Sequence, residues 1–125
     1  LWTDTAARTA RLAADLSAAM TSRGLPDLIA TYSSWFMMNV TEADPRATLL
    51  YPLMRLEGVH VMDGFCAFLT TEHGEAECRK ILTAFETALD TLCSLLAFWP
   101  TFARARMSRR GRFRLQRQPF PHPSP

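Results

Sequence analysis

Apolar residues recur at helical spacing in the first part of the chain. Between Asp4 and Arg23 they lie in an alanine-rich segment and comprise Leu12, Leu16, Ala19 and Met20. This spacing predicts an amphipathic helix, and alanine gives it high propensity. Gly24 and Pro26 follow as a C-terminal stop signal.

A second long helix is predicted after a loop at 70–75, ending near Ala97. Its apolar stripe comprises Ile81, Leu82, Phe85, Leu89, Leu92, Leu95 and Leu96. The opposite face is polar and comprises Glu77, Lys80, Glu86 and Asp90. The pattern is typical of a helix that packs one face on a core.

A shorter helix is predicted between these two. Asp44 is suited to be its N-cap and Pro45 its first residue, and Gly58 is the expected stop after Leu56. Pro52 lies inside this helix, where proline costs about 3 kcal/mol unless a kink absorbs it.

Strand-like segments fill the remaining parts of the chain. Residues 28–32 and 35–40 are rich in β-branched and aromatic side chains, which predicts one irregular strand or two short ones around Ser33 and Ser34. Residues 59–62 and 65–69 flank Asp63-Gly64, a strong hairpin signal.

The order helix, strands, helix, hairpin, helix predicts an α+β fold, a two-layer α/β sandwich with a small sheet and the helices packed on one face. We assign residues 1–100 to this domain and residues 101–125 to a tail. The tail is rich in Arg and Pro without periodicity, so we expect it to be disordered.

Composition is ordinary for a soluble domain, with 48% hydrophobic and 21% charged residues. No apolar run reaches the roughly 20 residues of a membrane span, so no membrane partner is expected and a cytoplasmic location is the default prediction. Three widely spaced cysteines favour reduced structural thiols over disulfides or a zinc site. A first residue of Leu suggests a processed chain or a fragment.

Charge is distributed unevenly along the chain. The first 100 residues carry a net charge of −5, whereas the tail holds seven arginines and no acidic residue. Such a tail could bind nucleic acid or another anionic surface. It contains no recognised nucleic-acid motif, so we expect an inert or non-native extension instead and no nucleic-acid partner.

Three polar residues around the predicted hairpin are candidates for a site. His60 lies in a predicted strand, Asp63 in the turn and His73 just before the last helix. Each has a structural explanation, since strand histidines are often exposed and Asp is a common turn residue. The chain has no phosphate-binding glycine loop, HExxH, GxSxG or calcium-binding loop. A self-contained active site, with catalytic, cofactor or metal residues of its own, is therefore not expected.

Four segments in this order carry a family resemblance: RTARLAADLSAAMTSRGLP, IATYSSWFMMNV, LLYPLMRLEGVHVMDGFCAFLTTEH and ILTAFETALDTL. Together they resemble the C-terminal small domain of class III pyridoxal-phosphate-dependent aminotransferases, over roughly residues 6–100. The nearest branch is that of glutamate-1-semialdehyde 2,1-aminomutase, including the aminotransferase modules of nonribosomal peptide and polyketide synthases. Glu72, Pro52 and the tail depart from the family pattern.

The resemblance implies a small antiparallel sheet beside an active site whose main parts lie elsewhere. Enzymes of this fold type hold pyridoxal 5′-phosphate by a lysine, a carboxylate and backbone donors of a large domain. That missing large domain is the implied partner, and members are commonly dimers. Lys80, the only lysine here, is not expected to carry the cofactor.

By the same resemblance, Asp63 and His73 become candidates for residues near the substrate. Asp63 stands where this branch has a carboxylate at the substrate entrance, and it could orient a substrate amine or an arginine of the large domain. The implied function is amino-group transfer to a carbonyl substrate by the complete enzyme. The alternative is a small interaction module without catalytic activity.

Overall fold

The computed structural model describes residues 2–96. Within them lie four α-helices, α1 (Trp2–Ser22), α2 (Val40–Ala43), α3 (Leu50–Leu56) and α4 (Glu75–Leu95). A 3₁₀ helix (Pro45–Leu49) precedes α3, and three strands complete the fold: β1 (Ile29–Tyr32), β2 (Trp35–Met38) and β3 (Ala67–Phe68). The predicted tail lies outside the described residues.

The three strands form an antiparallel sheet in the order β1-β2-β3. Helix α1 packs against β1 and β2, and α4 packs against α1 and α3. The predicted α+β class is therefore correct: a small antiparallel sheet is combined with helices, of which α1 packs directly on β1 and β2. The core between them is closed by fully buried side chains, among them Leu16, Met20, Phe36, Tyr51, Phe85, Leu89 and Leu92.

The ends of α1 and α3 share one capping geometry, the Schellman motif. After α1, Leu25 N–H donates to the Met20 carbonyl at 3.0 Å and Gly24 has φ +74°. After α3, Val59 N–H donates to the Met54 carbonyl at 3.0 Å and Gly58 has φ +83°. Both predicted stop signals are confirmed, because each glycine takes the left-handed conformation that this motif requires.

The predicted start of the middle helix is also confirmed, but the helix is divided. Asp44 caps the 3₁₀ helix by accepting a hydrogen bond from Arg46 N–H at 2.9 Å, and Pro45 is the first residue. The α-helical part begins only at Leu50, so Pro52 falls in its first turn. Proline is tolerated there because the first turn has no intrahelical acceptor for its missing N–H. The change from 3₁₀ to α-helix therefore accommodates Pro52.

Three sequence predictions are wrong. Residues 59–62 form no strand, and β3 pairs with β2 instead of closing a hairpin with them. The strand predicted to reach Val40 ends at Met38, and Val40 begins the short helix α2. Leu95, assigned to the apolar stripe of the last helix, is exposed.

The failed hairpin has a cause in its turn. Phe65 N–H donates to the Met62 carbonyl at 3.3 Å and Gly64 has φ +74°, whereas Ser33 is the only described non-glycine residue with positive φ. Asp63 is therefore not left-handed, and the turn is not the type I′ turn that the hairpin signal implies. Other turns splay the flanking segments, which leaves β3 to pair with β2.

None of the helices in residues 2–96 is long and apolar enough to cross a lipid bilayer.

Candidate functional site

Asp63 lies in a small cluster of polar side chains together with Arg55 and His60. The Arg55 guanidinium donates to Asp63 Oδ1 at 2.6 Å through Nη2 and to His60 Nδ1 at 3.0 Å through Nε. The side chains of Arg55 and Asp63 are 41% and 43% exposed. The site is therefore an oriented carboxylate at the surface, with an arginine that connects it to a histidine.

Local backbone geometry explains why these three residues meet. Arg55 lies in the last turn of α3, and Gly58 reverses the chain directly afterwards. The segment that follows passes back over the helix end, and the Gly64 turn brings Asp63 within reach of Arg55. Two glycines with positive φ, Gly58 and Gly64, thus bring together Arg55 and Asp63, which are eight residues apart in the chain.

Tyr51 attaches the same turn to the core. Its hydroxyl donates to the Met38 carbonyl at 3.0 Å, and the side chain is buried. Burial raises the pKa of Tyr51 and the nearby Asp63 carboxylate raises it further, while a hydrogen bond from the Gly64 backbone lowers it. The phenol is therefore bonded to strand β2 and lies close to the Asp63 turn.

His73 belongs to a different local structure. Its Nδ1 lies 3.0 Å from both the backbone N and the Oγ1 of Thr70, and its carbonyl accepts a hydrogen bond from Arg8 Nη1 at 2.9 Å. Among residues 2–96, no hydrogen bond connects His73 with Asp63. The structure therefore places one sequence candidate in a charged cluster and the other in a turn that leads into α4.

The N-terminus of α4 is capped by a side chain of its own first turn. Gly74 is the N-cap residue, and its N–H donates to Glu77 Oε2 at 2.9 Å. Glu75 and Glu77 also place two carboxylates in the first turn, where the helix dipole favours negative charge. The N–H of the N-cap residue is therefore satisfied by Glu77, and His73 lies in the turn that leads into this helix.

Lys80 does not have the surroundings of a cofactor lysine. Its side chain is exposed on α4, and a methyl group added at Gly58 would lie 3.5 Å from its Nζ. The ammonium group thus lies by the C-terminal end of α3, where a cation is favoured by the helix dipole. Schiff-base lysines are typically desolvated in a pocket, so the exposed Lys80 does not fit that role.

The three cysteines do not form a reactive site in the described residues. Cys66, Cys78 and Cys93 are free thiols, and burial raises the pKa of Cys78 and of Cys93, which makes both less reactive. No group of three or more His, Cys, Asp or Glu residues in this part of the chain is arranged to hold a metal ion.

Sequence reasoning found Asp63 and His60 but missed Arg55, their common partner. Arg55 is eight residues before Asp63, and only the Schellman geometry at Gly58 makes that separation short in space. The signal that could have indicated this contact was Gly58, the predicted stop after the middle helix, because a glycine there reverses the chain.

Comparison of the chain with protein-family models, with curated proteins and with solved structures gives no match.

Proposed function

We propose that this chain is the C-terminal small domain of a pyridoxal-phosphate-dependent class III aminotransferase, of the glutamate-1-semialdehyde aminomutase-like branch. The complete enzyme would transfer an amino group to a carbonyl substrate. This chain alone lacks the cofactor machinery, and we expect it to be inactive. The observation that supports the proposal best is the Asp63 carboxylate, which is held at the surface by an arginine of the same domain.

The position of Asp63 in this cluster is suited to a residue that faces a neighbouring domain. The ion pair with Arg55 fixes the direction of the carboxylate, and the 43% exposure leaves it accessible to a further partner. A carboxylate in this state can orient a substrate amine or pair with an arginine. His73 is a weaker candidate, because its Nδ1 is already engaged by Thr70.

The proposal includes a missing partner and a location. The large domain would supply the lysine, the carboxylate for the pyridinium nitrogen and the phosphate-binding backbone, and the complete enzyme would be a homodimer in the cytoplasm. Three free cysteines support a reducing compartment. A membrane or nucleic-acid partner is not part of the proposal.

The gene sequence upstream of the codon for Leu1 tests this proposal directly. We expect an uninterrupted reading frame that encodes an α/β domain with a cofactor-binding lysine. A start codon immediately before Leu1, with no such domain upstream, would contradict the proposal.

A second candidate function is a non-catalytic interaction module. One observation favours it specifically: the face of the sheet that the helices leave bare carries the exposed aromatic side chains Tyr32 and Phe68. This candidate predicts a start codon at the beginning of the described domain and binding without any requirement for pyridoxal phosphate.

A further inference from the structure

A cavity of about 250 Å³ lies between α1 and the first half of α4. Its wall contains three arginine side chains, Arg8 and Arg11 from α1 and Arg79 from α4. None of its lining residues belongs to the Asp63 cluster. Pockets for drug-sized ligands measure roughly 300–1,000 Å³, so this cavity is suited to a smaller molecule.

Arg8 has an unused pair of hydrogen-bond donors. Its Nη1 donates to the His73 carbonyl at 2.9 Å, and this is the only hydrogen bond of the side chain within residues 2–96. Its Nε is buried and has no partner in the same part of the chain. A buried donor without a partner is unfavourable. Because Nε and Nη2 form an edge of the guanidinium that can hold two oxygens of one oxyanion, the free edge indicates a ligand of that kind.

The charges around the cavity favour a ligand with a single negative charge. Arg11 is paired with Glu75 at 3.1 Å, whereas Arg79 is exposed and makes no hydrogen bond or ion pair within residues 2–96. Asp15 also lines the cavity, so three arginines face two carboxylates. One positive charge is left in excess. A carboxylate neutralises it, whereas a phosphate group carries a charge of about −1.5 to −2 at neutral pH and exceeds it.

Part of the cavity wall is apolar. Leu12 is buried and Leu82 is half-buried, and both line the cavity. Cys78, which is also buried, lies beside them in the wall. Small-molecule sites combine such an apolar wall with a few polar groups that fix the orientation of the ligand. The wall therefore suits a carboxylate that has a hydrocarbon part.

We propose that this cavity binds a small organic monocarboxylate. Its two oxygens accept hydrogen bonds from Nε and Nη2 of Arg8, and Arg79 adds a second positive charge nearby. The hydrocarbon part contacts Leu12 and Leu82. The ligand would thus contact both α1 and α4. This proposal rests on the cavity alone and does not depend on the proposed aminotransferase function.

An NMR titration of the full 125-residue chain with benzoate tests the proposal. The methyl signals of Leu12 and Leu82 should shift and saturate, with a dissociation constant on the order of 1 mM, because one bidentate pair and a small apolar contact give weak binding. Benzamide has nearly the same shape without the charge and should cause no saturable shift. Signals of the cavity wall separate this binding from association with the arginines of residues 101–125.

Three results of the titration would overturn the proposal. The first is no saturable shift at benzoate concentrations about tenfold above the expected dissociation constant, which would mean that water alone occupies the cavity. The second is an equal response to benzamide. The third is tighter binding of inorganic phosphate than of benzoate at the same methyl groups, which would contradict the assignment to a monocarboxylate.

Substitutions identify the arginines that hold the ligand. Arg8→Lys keeps the charge but removes the bidentate edge, and it should weaken benzoate binding by at least about tenfold. Arg79→Gln removes the second charge at an exposed position, where the fold should tolerate it, and should weaken binding severalfold.

The matched control is Arg23→Lys. Arg23 also connects α1 with α4, through an ion pair with Asp90 at 2.6 Å, but it does not line the cavity. Its variant should bind benzoate like the wild type. Circular dichroism verifies that each variant is folded, and Arg79→Gln decides the test if Arg8→Lys is not. Wild-type affinity in the folded cavity variants, or an equal loss in Arg23→Lys, would refute the site.

Discussion

At the scale of single residues, Asp63 shows how a structural and a functional interpretation can share one side chain. Its place before Gly64 is explained by the turn, and its ion pair with Arg55 stabilises the same loop. Neither requirement consumes the whole carboxylate, which stays 43% exposed. The sequence could therefore identify the position, but only the folded loop shows which partner orients it.

We predict a small coupling energy between Arg55 and Asp63. Exposed ion pairs contribute about 0.2–1 kcal/mol, because water and salt screen them. Arg55→Ala and Asp63→Ala, with the double variant, should give a coupling in this range in urea unfolding, and it should decrease at high salt. The aminotransferase proposal agrees with this value, because a carboxylate held for a partner need not contribute strongly to stability.

The control for this cycle is the exposed pair between Arg11 and Glu75, whose nitrogen and oxygen lie 3.1 Å apart. It joins α1 to α4 without any candidate functional residue and should couple by a similar amount. An Arg55 and Asp63 coupling well above about 1 kcal/mol would mean that the cluster is a structural element of the fold.

At the scale of elements, signals within one helix predicted more than signals between strands. The capping residues Asp44, Gly24 and Gly58 fix helix ends through backbone geometry that neighbouring residues decide. Strand β3 depends instead on pairing with β2, about 30 residues earlier, and the local hairpin signal at Asp63-Gly64 pointed to the wrong partner. Turn conformation, which composition alone does not determine, made the difference.

Gly58→Ala should destabilise the fold by about 1–2 kcal/mol, because alanine is strained at the left-handed φ of +83°. The space itself is sufficient, since the added methyl group would meet Lys80 Nζ at 3.5 Å, an ordinary contact. Asparagine tolerates this conformation, so Gly58→Asn should cost clearly less than Gly58→Ala. Urea unfolding measures both changes.

A variant at Lys80 separates backbone strain from crowding. If contact with the ammonium group caused the loss, Gly58→Ala would become harmless in a Lys80→Ala background. We expect the cost to be the same in both backgrounds. Equal costs for alanine and asparagine at position 58 would argue against the conformational explanation.

At the scale of the whole molecule, the layer architecture could be predicted, but the bare sheet face could not be interpreted. The run Trp35 to Met38 is apolar at every position, so its sequence does not distinguish a strand covered on both faces from one exposed on one face. The structure resolves this, because Phe36 and Met38 are buried whereas Trp35 and Met37, on the other face, are only half-buried.

The exposed position of Lys80 gives a final prediction. The isolated chain mixed with pyridoxal 5′-phosphate and then reduced with borohydride should show no saturable, site-specific adduct at Lys80. Lys80 lines an open cavity of about 330 Å³ together with Glu57 and Arg79, but the lysine is exposed there and is not desolvated in a way that would favour the reaction. Peptide mapping by mass spectrometry measures the occupancy of Lys80 as the cofactor concentration increases.

Nα-acetyl-lysine, whose ε-amine is free, provides the reference for nonspecific reaction. Its modification should follow the same concentration dependence as that of Lys80. Lys80→Arg should have the stability of the wild type, since either cation satisfies the end of α3. Saturation of Lys80 at cofactor concentrations that leave the reference amine unmodified would mean that this chain binds the cofactor itself. The proposal that the cofactor belongs to a missing large domain would then be wrong.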